Sequence, residues 1–139
     1  MTLSIRNQLP GTVTEVHPGE VMAAVKVRLD GGQHLTAVIT REAAEQLRLA
    51  PGSTVRALTK STEVALATGR IEGLSIRNQF PGTLTHLTVG EVMACAKVTV
   101  EGGELTAAIT KDAAADLGLF VGSDVVVLIK STEVSLTTA

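Results

Sequence analysis

Hydrophobic and polar residues alternate along much of this chain with a period of two, which is typical of strands that are buried on one face. The alternation runs over residues 25–29 and resumes over 35–39, with Gly31-Gly32 between the two runs. Glycine pairs of this kind favour tight turns between antiparallel strands. The pattern therefore predicts a β-hairpin at the centre of the first half.

Further strands are predicted on both sides of this hairpin. Pro10-Gly11 and Pro18-Gly19 punctuate an earlier strand region, and Pro51-Gly52 precedes a strand-like run from 54 to 60. A last short strand is predicted from 63 to 68. Together with the hairpin, these runs give five strands.

One helical segment interrupts the strands, over residues 40–47. Thr40 suits the N-cap position and Glu42 suits the first turn, where negative charge is favoured. The segment 110–117 repeats this design, with Thr110 at the same position. We expect one short helix before the fourth strand.

The sequence repeats itself at an offset of 71 residues, which becomes 70 after a one-residue deletion opposite Gln33. Residues 3–12 (LSIRNQLPGT) return as 74–83 (LSIRNQFPGT), and KSTEV at 60–64 returns at 130–134. The two copies share 39 identities over 65 aligned positions. Self-similarity at this level indicates two copies of one structural unit.

The fold class that we predict is all-β with one short helix per domain, as two tandem OB-like five-stranded barrels. The first domain covers 1–68, the second covers 74–139, and the glycine-flanked segment 69–73 is the linker. Barrels of this size have exposed edges and small cores, so self-association is expected.

The composition reduces the number of function classes that fit this chain. The chain has no Trp or Tyr, two Phe and a net charge of −2 with interspersed signs, so neither a nucleic-acid surface nor a polybasic membrane patch is visible. No run approaches the roughly 18 apolar residues of a membrane span, and the start of the chain lacks a signal-peptide pattern. We expect a cytoplasmic protein.

Catalytic and metal-binding motifs are missing from the sequence. The three histidines, His17, His34 and His86, fall at positions that differ between the copies. We therefore predict no enzyme activity and no direct metal-cation ligand. Cys95 is interpreted as a buried small hydrophobic residue, and Met22 and Met93 as core filling.

Two polar clusters recur and could bind an oxyanion. One places Ser4 and Arg6 on the same face of a predicted strand, and the other places Lys60 and Ser61 where a strand ends. Arginine, lysine, hydroxyl and backbone N–H groups are donors that suit a tetrahedral dianion, and helix starts favour negative charge. The candidate set is Ser4, Arg6, Thr40, Lys60, Ser61, Ser75, Arg77, Thr110, Lys130 and Ser131. The alternative is that the Ser and Arg side chains are merely solvated and that each Lys forms a local ion pair with the following Glu.

At these residues the chain resembles the Mop family of molybdate-binding domains, and the tandem arrangement resembles the di-Mop proteins called molbindins. The resemblance is carried by S-x-R-N-Q-x-x-G at 4–11 and 75–82, by L-T-A-x-I-T at 35–40 and 105–110, and by K-x-[ST]-E-V at 60–64 and 130–134. It covers essentially the whole chain.

The resemblance implies intracellular storage and homeostasis of molybdate or tungstate by a homotrimer, with no cofactor and with sites at subunit interfaces. One class of site would combine Ser4 and Arg6 with Thr40, Lys60 and Ser61 of a neighbouring domain, and the second copy would contribute the equivalent residues. A second class, near the three-fold axis, would use mainly main-chain donors of residues Gly19, Glu20, Val21, Met22, Gly90, Glu91, Val92 and Met93.

A nucleic-acid-binding module is the alternative function, because OB folds often bind single strands. Such surfaces combine stacking aromatic residues with a basic groove. Phe80 and Phe120 are the only aromatic side chains apart from histidine, and the net charge is negative. The composition therefore favours a small anion over a nucleic acid.

Overall fold

A computed structural model describes residues 2–138, so the predicted domain ends Met1 and Ala139 lie outside the described residues. Each repeat forms three strands, a short helix and two further strands that flank a 3-10 turn. The first repeat contains β1 (Asn7–Pro18), β2 (Met22–Leu29), β3 (His34–Thr40), α1 (Arg41–Gln46), β4 (Thr54–Thr59), a 3-10 turn (Ser61–Glu63) and β5 (Val64–Ala67). The second contains β6 (Asn78–Val89), β7 (Met93–Val100), β8 (Gly103–Thr110), α2 (Lys111–Asp116), β9 (Asp124–Ile129), a 3-10 turn (Ser131–Glu133) and β10 (Ser135–Thr138).

The predicted hairpin and helices are confirmed. β2 and β3 pair antiparallel in the register set by the alternation, which buries Val25, Val27 and Leu35. Thr40 is the N-cap of α1, and its side chain accepts a hydrogen bond from Ala43 N at 3.1 Å. Thr110 caps α2 in the same way.

The first strand differs from the expected punctuated region, because β1 runs without interruption through Pro10-Gly11. Proline is tolerated there because only its carbonyl is needed, and this carbonyl accepts a hydrogen bond from Asp30 N at 3.0 Å. A bulge between Val13 and Glu15 shifts the register against β2 and bends the long strand.

Two five-stranded sheets form, and each takes its last strand from the other repeat. The strand order is β10-β4-β1-β2-β3 in one sheet and β5-β9-β6-β7-β8 in the other. Ser135 pairs with Leu58, and Val64 pairs with Ile129, both across the repeat boundary. The predicted OB-like architecture of mostly strands and short helices is confirmed, but neither repeat supplies all five strands of its own sheet.

The ranges 1–68 and 74–139 therefore describe the two sequence repeats. They do not correspond to the two sheets, because each sheet contains a strand of the other repeat. The sequence does not indicate whether each fifth strand joins the sheet of its own repeat or that of the other repeat. Both β4 and β9 present apolar edges, and the two fifth strands are related in sequence. The segment 69–73, predicted as the linker, contains no helix or strand.

The two repeats also share one hydrophobic core. A single cluster of buried aliphatic residues includes side chains from both copies, and Phe80, which is 3% exposed, belongs to it. Phe120 lies on the surface instead. Exchange of the last strands and a common core make the pair of repeats one folding unit.

Two predictions about apolar residues are wrong. Cys95 is exposed, because the alternation of β7 buries Ala94 and Ala96 and turns the residue between them outward. Met22 and Met93, predicted as core filling, are 41% and 42% exposed because each begins a strand beside a solvent-exposed turn. Among residues 2–138, no helix has the length and apolar character needed to cross a membrane.

Candidate functional site

The segment that carries Ser4 and Arg6 lies just before β1 and has no regular strand structure, so the strand prediction for it is wrong. Ser4 and Arg6 are nevertheless both exposed, while Ile5 between them is half-buried. Ser75, Ile76 and Arg77 repeat this arrangement. The hydroxyl and the guanidinium of each copy are thus presented to solvent on either side of an apolar anchor.

The asparagine that follows each of these segments joins the two repeats. Asn7 is 2% exposed, and its side chain donates to the carbonyl of Thr106 and accepts from Thr106 N, both at 2.8 Å. Asn78 forms the same pair of bonds with Thr36 at 2.9 Å. Because β3 and β8 are edge strands, each amide side chain substitutes for a missing strand partner.

Lys60 and Ser61 lie where β4 ends and the 3-10 turn begins, as the sequence predicts. Glu63 N donates to the carbonyl of Lys60 at 2.9 Å, and the equivalent bond joins Glu133 N to Lys130. Lys60 is exposed and Ser61 is half-buried. The turn therefore places Lys60 and Ser61 in succession at the end of β4.

The cationic candidates are not used in internal ion pairs. Within residues 2–138, the ion pairs join Glu15 to His17 and Lys26, and Arg41 to Glu45. Arg6, Arg77, Lys60 and Lys130 take part in none of them. The alternative interpretation, a local Lys–Glu pair in each turn, is thus not what the described residues form.

Residues of both repeats line a pocket of about 210 Å³ at the junction of β4 and β10. The first repeat contributes Ile5, Lys60 and Glu63, and the second contributes Thr132, Glu133 and Ser135. The structure thus brings Ile5 and Lys60 of one repeat together with the 3-10 turn of the other, whereas Ser4, Arg6 and Ser61 do not line this pocket.

Ser131 is linked to the other repeat through Asn78. Its Oγ lies 3.5 Å from Nδ2 of Asn78, the residue that also holds Thr36 of the first repeat. Asn78, which directly follows Arg77, therefore contacts both the Lys130-Ser131 turn of its own repeat and β3 of the other repeat.

Thr40 lies in another part of the molecule. It lines a pocket with Val21, Glu20 and Arg41, and Lys60 lines the junction pocket instead. Its hydroxyl already accepts the capping hydrogen bond of α1. Within one chain, Thr40 is thus grouped with the segment that was predicted as the axial site.

That axial segment forms a tight turn in each copy. Gly19 N donates to the carbonyl of Met22 at 2.7 Å, and Gly90 N donates to that of Met93 at 2.8 Å. The carbonyls of Val21 and Val92 accept from the first residue of the following helix. The N–H groups of Gly19 and Gly90 are therefore occupied within the turn.

One exposed carboxylate outside these clusters, that of Glu15, is perturbed by its neighbours. A hydrogen bond from His17 and the charge of Lys26 lower the pKa of Glu15 below its usual value. In the part of the chain that the structure describes, no three His, Cys, Asp or Glu side chains are grouped to hold a metal ion.

Sequence reasoning missed three residues of this region. Asn7 and Asn78 are the last residues of the repeated S-x-R-N motif. Their recurrence in both copies could have indicated a role, but the residue type alone did not show which one. Thr59, buried at 4% exposure beside Lys60, gave no signal because the second copy has Ile129 at its position.

The fold and these clusters define a tandem of OB-like barrels in which a Ser/Arg pair and a Lys-Ser turn recur in each repeat. The family model for the TOBE domain matches residues 3–66 and 74–136. The chain belongs to the TOBE-domain family, and its predicted relation to tandem Mop proteins is confirmed.

Among its relatives, the molybdenum-pterin-binding protein MopB of Rhodobacter capsulatus is 42% identical over 135 residues, which are 96% of this chain and 50% of that protein. The molybdenum transport protein ModE of Herbaspirillum seropedicae is 38% identical over 133 residues, 94% of this chain and 49% of that protein. This chain thus spans about half the length of these two relatives.

A solved structure covers the whole chain. The molybdate-bound form of the cytoplasmic molybdate-binding protein ModG superimposes with a TM-score of 0.95 at 39% identity, over 100% of both chains. The likeness therefore includes the arrangement of both repeats.

Proposed function

We propose that this chain binds molybdate, or tungstate of the same shape and charge, and stores it in the cytoplasm by reversible hydrogen bonding. The observation that carries the proposal is a duplicated set of exposed or half-buried donors, Ser4 and Arg6 with Lys60 and Ser61, whose cationic members form no ion pair within residues 2–138. A tetrahedral dianion only accepts hydrogen bonds, and these groups donate them.

The names of the relatives support molybdate as the anion. MopB is a molybdenum-pterin-binding protein, and ModG is a molybdate-binding protein described as cytoplasmic. The ligand and the cellular location are carried from them to this chain as part of the proposal, and the storage role is proposed in addition.

We further propose that the sites are completed between subunits, in a homotrimer. The turns that follow β1 and β6 leave Val21 at 73% and Val92 at 72% exposure, and Met22 and Met93 lie beside them. Apolar side chains exposed at the same positions of both repeats are typical of a surface that another subunit covers. Thr40 lies next to this surface, which supports its pairing with donors of a neighbouring chain.

The test is elemental analysis of the native-size particle after incubation with molybdate, with excess sulfate as competitor. We expect molybdenum in a fixed ratio to protein that sulfate does not displace. Particles that retain no molybdenum after gel filtration would refute the proposal, and complete displacement by sulfate would assign the sites to oxyanions in general.

Variants then locate the sites. Arg6→Gln and Lys60→Gln each remove one charged donor, so affinity should fall roughly 10- to 100-fold at the affected sites, since a hydrogen bond to a charged group contributes about 1.5–3 kcal/mol. Arg56→Gln removes the same charge from an exposed position of β4 and should leave binding unchanged.

A further inference from the structure

The turn between β2 and β3 contains Asp30-Gly31, the only place in the chain where a glycine follows an aspartate or an asparagine. Asp30 is exposed, and its carboxylate takes part in no ion pair among residues 2–138. Because glycine has no side chain, nothing on Gly31 shields its amide nitrogen from the carboxyl carbon of Asp30. Groups held next to each other in one molecule react far faster than separate molecules do.

The hydrogen bonds of this turn leave the amide nitrogen of Gly31 free. Asp30 N donates to the carbonyl of Pro10 at 3.0 Å, and Gly32 N donates to the carbonyl of Leu29 at 2.8 Å. Gly31 N, which lies between these two donors, donates no hydrogen bond within the described residues. The nitrogen therefore loses no hydrogen bond when it reacts.

The equivalent turn of the second repeat lacks this chemistry. Glu101-Gly102 stands in place of Asp30-Gly31. The carboxyl carbon of glutamate is one bond further from the main chain, so attack by the next nitrogen closes a six-membered ring instead of a five-membered one. The smaller ring forms more readily because fewer torsions must be fixed. The two repeats thus differ in reactivity at the same turn.

Other acidic and amide side chains are also less suited to this reaction. The remaining aspartates precede residues with side chains, which hinder approach to the amide nitrogen: Asp112, Asp116 and Asp124 precede Ala, Leu and Val. Both asparagines of the chain precede glutamine, and their side chains are hydrogen-bonded to the other repeat. Asp30 is therefore the position at which sequence and structure both favour attack by the following nitrogen.

We propose that Asp30 is a site of spontaneous covalent modification in the folded protein, at which aspartate rearranges to isoaspartate. Gly31 N attacks Cγ of the protonated Asp30 carboxyl, a C–N bond forms, and the amide proton leaves with the carboxyl hydroxyl as water. The product is a five-membered succinimide. Water then adds to one of its two carbonyls. Addition at the original main-chain carbonyl gives isoaspartate, and addition at Cγ restores aspartate.

Isoaspartate would disturb the contact between the turns of the two repeats, because it lengthens the main chain by one carbon. Gly31 packs so closely on the backbone carbonyl of Glu101 that a Cβ at this position would collide with it. Gln33 Nε2 donates to the same carbonyl at 2.7 Å. A longer main chain does not fit between these groups, so the modification should separate the two turns. This consequence does not depend on the proposed oxyanion.

The same contact should control the rate of the modification. Ring closure requires the main chain at Asp30 to rotate toward its own side chain, and the bond from Gln33 to the other repeat restrains this turn. Gln33→Ala should therefore accelerate isoaspartate formation about two- to tenfold, the effect of one lost hydrogen bond. Gln46→Ala removes an exposed amide that bonds only to Glu42, and this matched control should leave the rate unchanged.

Peptide mass spectrometry of the full chain tests the proposal after incubation for several weeks at neutral pH and below the Tm. Electron-transfer fragmentation distinguishes isoaspartate from aspartate in the tryptic peptide of residues 29–41. We expect isoaspartate to accumulate at position 30, while Asp112, Asp116 and Asp124 stay unchanged in the same samples. Asp30→Glu, which copies the second repeat, should abolish the product. Aged protein should also unfold at a lower urea concentration than fresh protein.

The isolated peptide of residues 29–41 provides the reference for the reaction without the fold. If this peptide converts while the folded chain shows no isoaspartate at position 30, the fold protects the site and the proposal is wrong. Equal accumulation at all four aspartates would also overturn it, since the product would then reflect general ageing. Identical urea midpoints of aged and fresh protein would refute the effect on the contact between the turns.

Discussion

The buried side chain of Asn7 hydrogen-bonds both backbone groups of Thr106, a residue of the other repeat, with both bonds at 2.8 Å. This contact holds the start of β1 against the open edge of β8. Asn78 and Thr36 reproduce the contact in the opposite direction. The two asparagines therefore hold the repeats in one arrangement next to the candidate anion donors.

Asn7→Ala should destabilise the fold by roughly 2–4 kcal/mol, because it leaves an N–H and a carbonyl without partners in a partly buried setting. Urea unfolding measures this change. Gln8→Ala removes only a local bond to Ile5 and should cost less than about 1 kcal/mol. Equal losses in the two variants would contradict the assigned role of Asn7.

Exchange of the last strands predicts that neither repeat folds alone. Residues 2–68 and 74–138, produced separately, should each lack a stable fold, because each needs a fifth strand from the other repeat. Mixing them should restore the far-UV circular dichroism spectrum and yield a one-to-one complex by light scattering. A separated repeat that is folded and monomeric would mean that the fifth strand can close on its own sheet.

The turn between β2 and β3 contacts the turn between β7 and β8, and this contact predicts a steric effect of substitution. A Cβ on Gly31 would collide with the backbone carbonyl of Glu101, so Gly31→Ala should destabilise by about 1–3 kcal/mol. Gly69 has open space around it, and Gly69→Ala should be neutral or slightly stabilising. Chemical denaturation of both variants checks the contrast, and a Gly31→Ala variant of wild-type stability would show that the turns separate freely.

The exposed apolar turns predict where subunits meet. Val21→Glu combined with Val92→Glu should convert the proposed trimer into monomers that stay folded, because both side chains are exposed within the chain. Sedimentation velocity measures the mass. Phe120→Glu changes another exposed apolar residue and should leave the mass unchanged. Dissociation by Phe120→Glu alone would place the interface elsewhere.

The Glu15 carboxylate predicts a small effect of pH. Its pKa is lowered in the folded state by the His17 hydrogen bond and the Lys26 charge, so its contribution to stability is present above the unfolded pKa and is lost as pH falls through the folded value. His17→Ala should raise the pKa of Glu15 toward 4.5 in an NMR titration. No change in this pKa would mean that the pair does not form in solution.

Much of this protein follows from its sequence, because the relevant information is local. The alternation of residues 25–39 determines a hairpin whose buried face must point inward, and Thr40 and Thr110 determine where the helices begin. The duplication follows from self-alignment alone. The donor types at Ser4, Arg6, Lys60 and Ser61 indicate an anion before any coordinates are considered.

Tertiary structure alone decided the relations between the repeats. The two fifth strands are related in sequence and provide no local signal for exchange, since the outcome depends on which sheet edge each strand reaches. The burial of Thr59 and the placement of Asn7 against Thr106 likewise depend on residues far apart in sequence. The types of the candidate donors were thus readable residue by residue, whereas their placement relative to the other repeat follows from the exchange of strands between the two sheets.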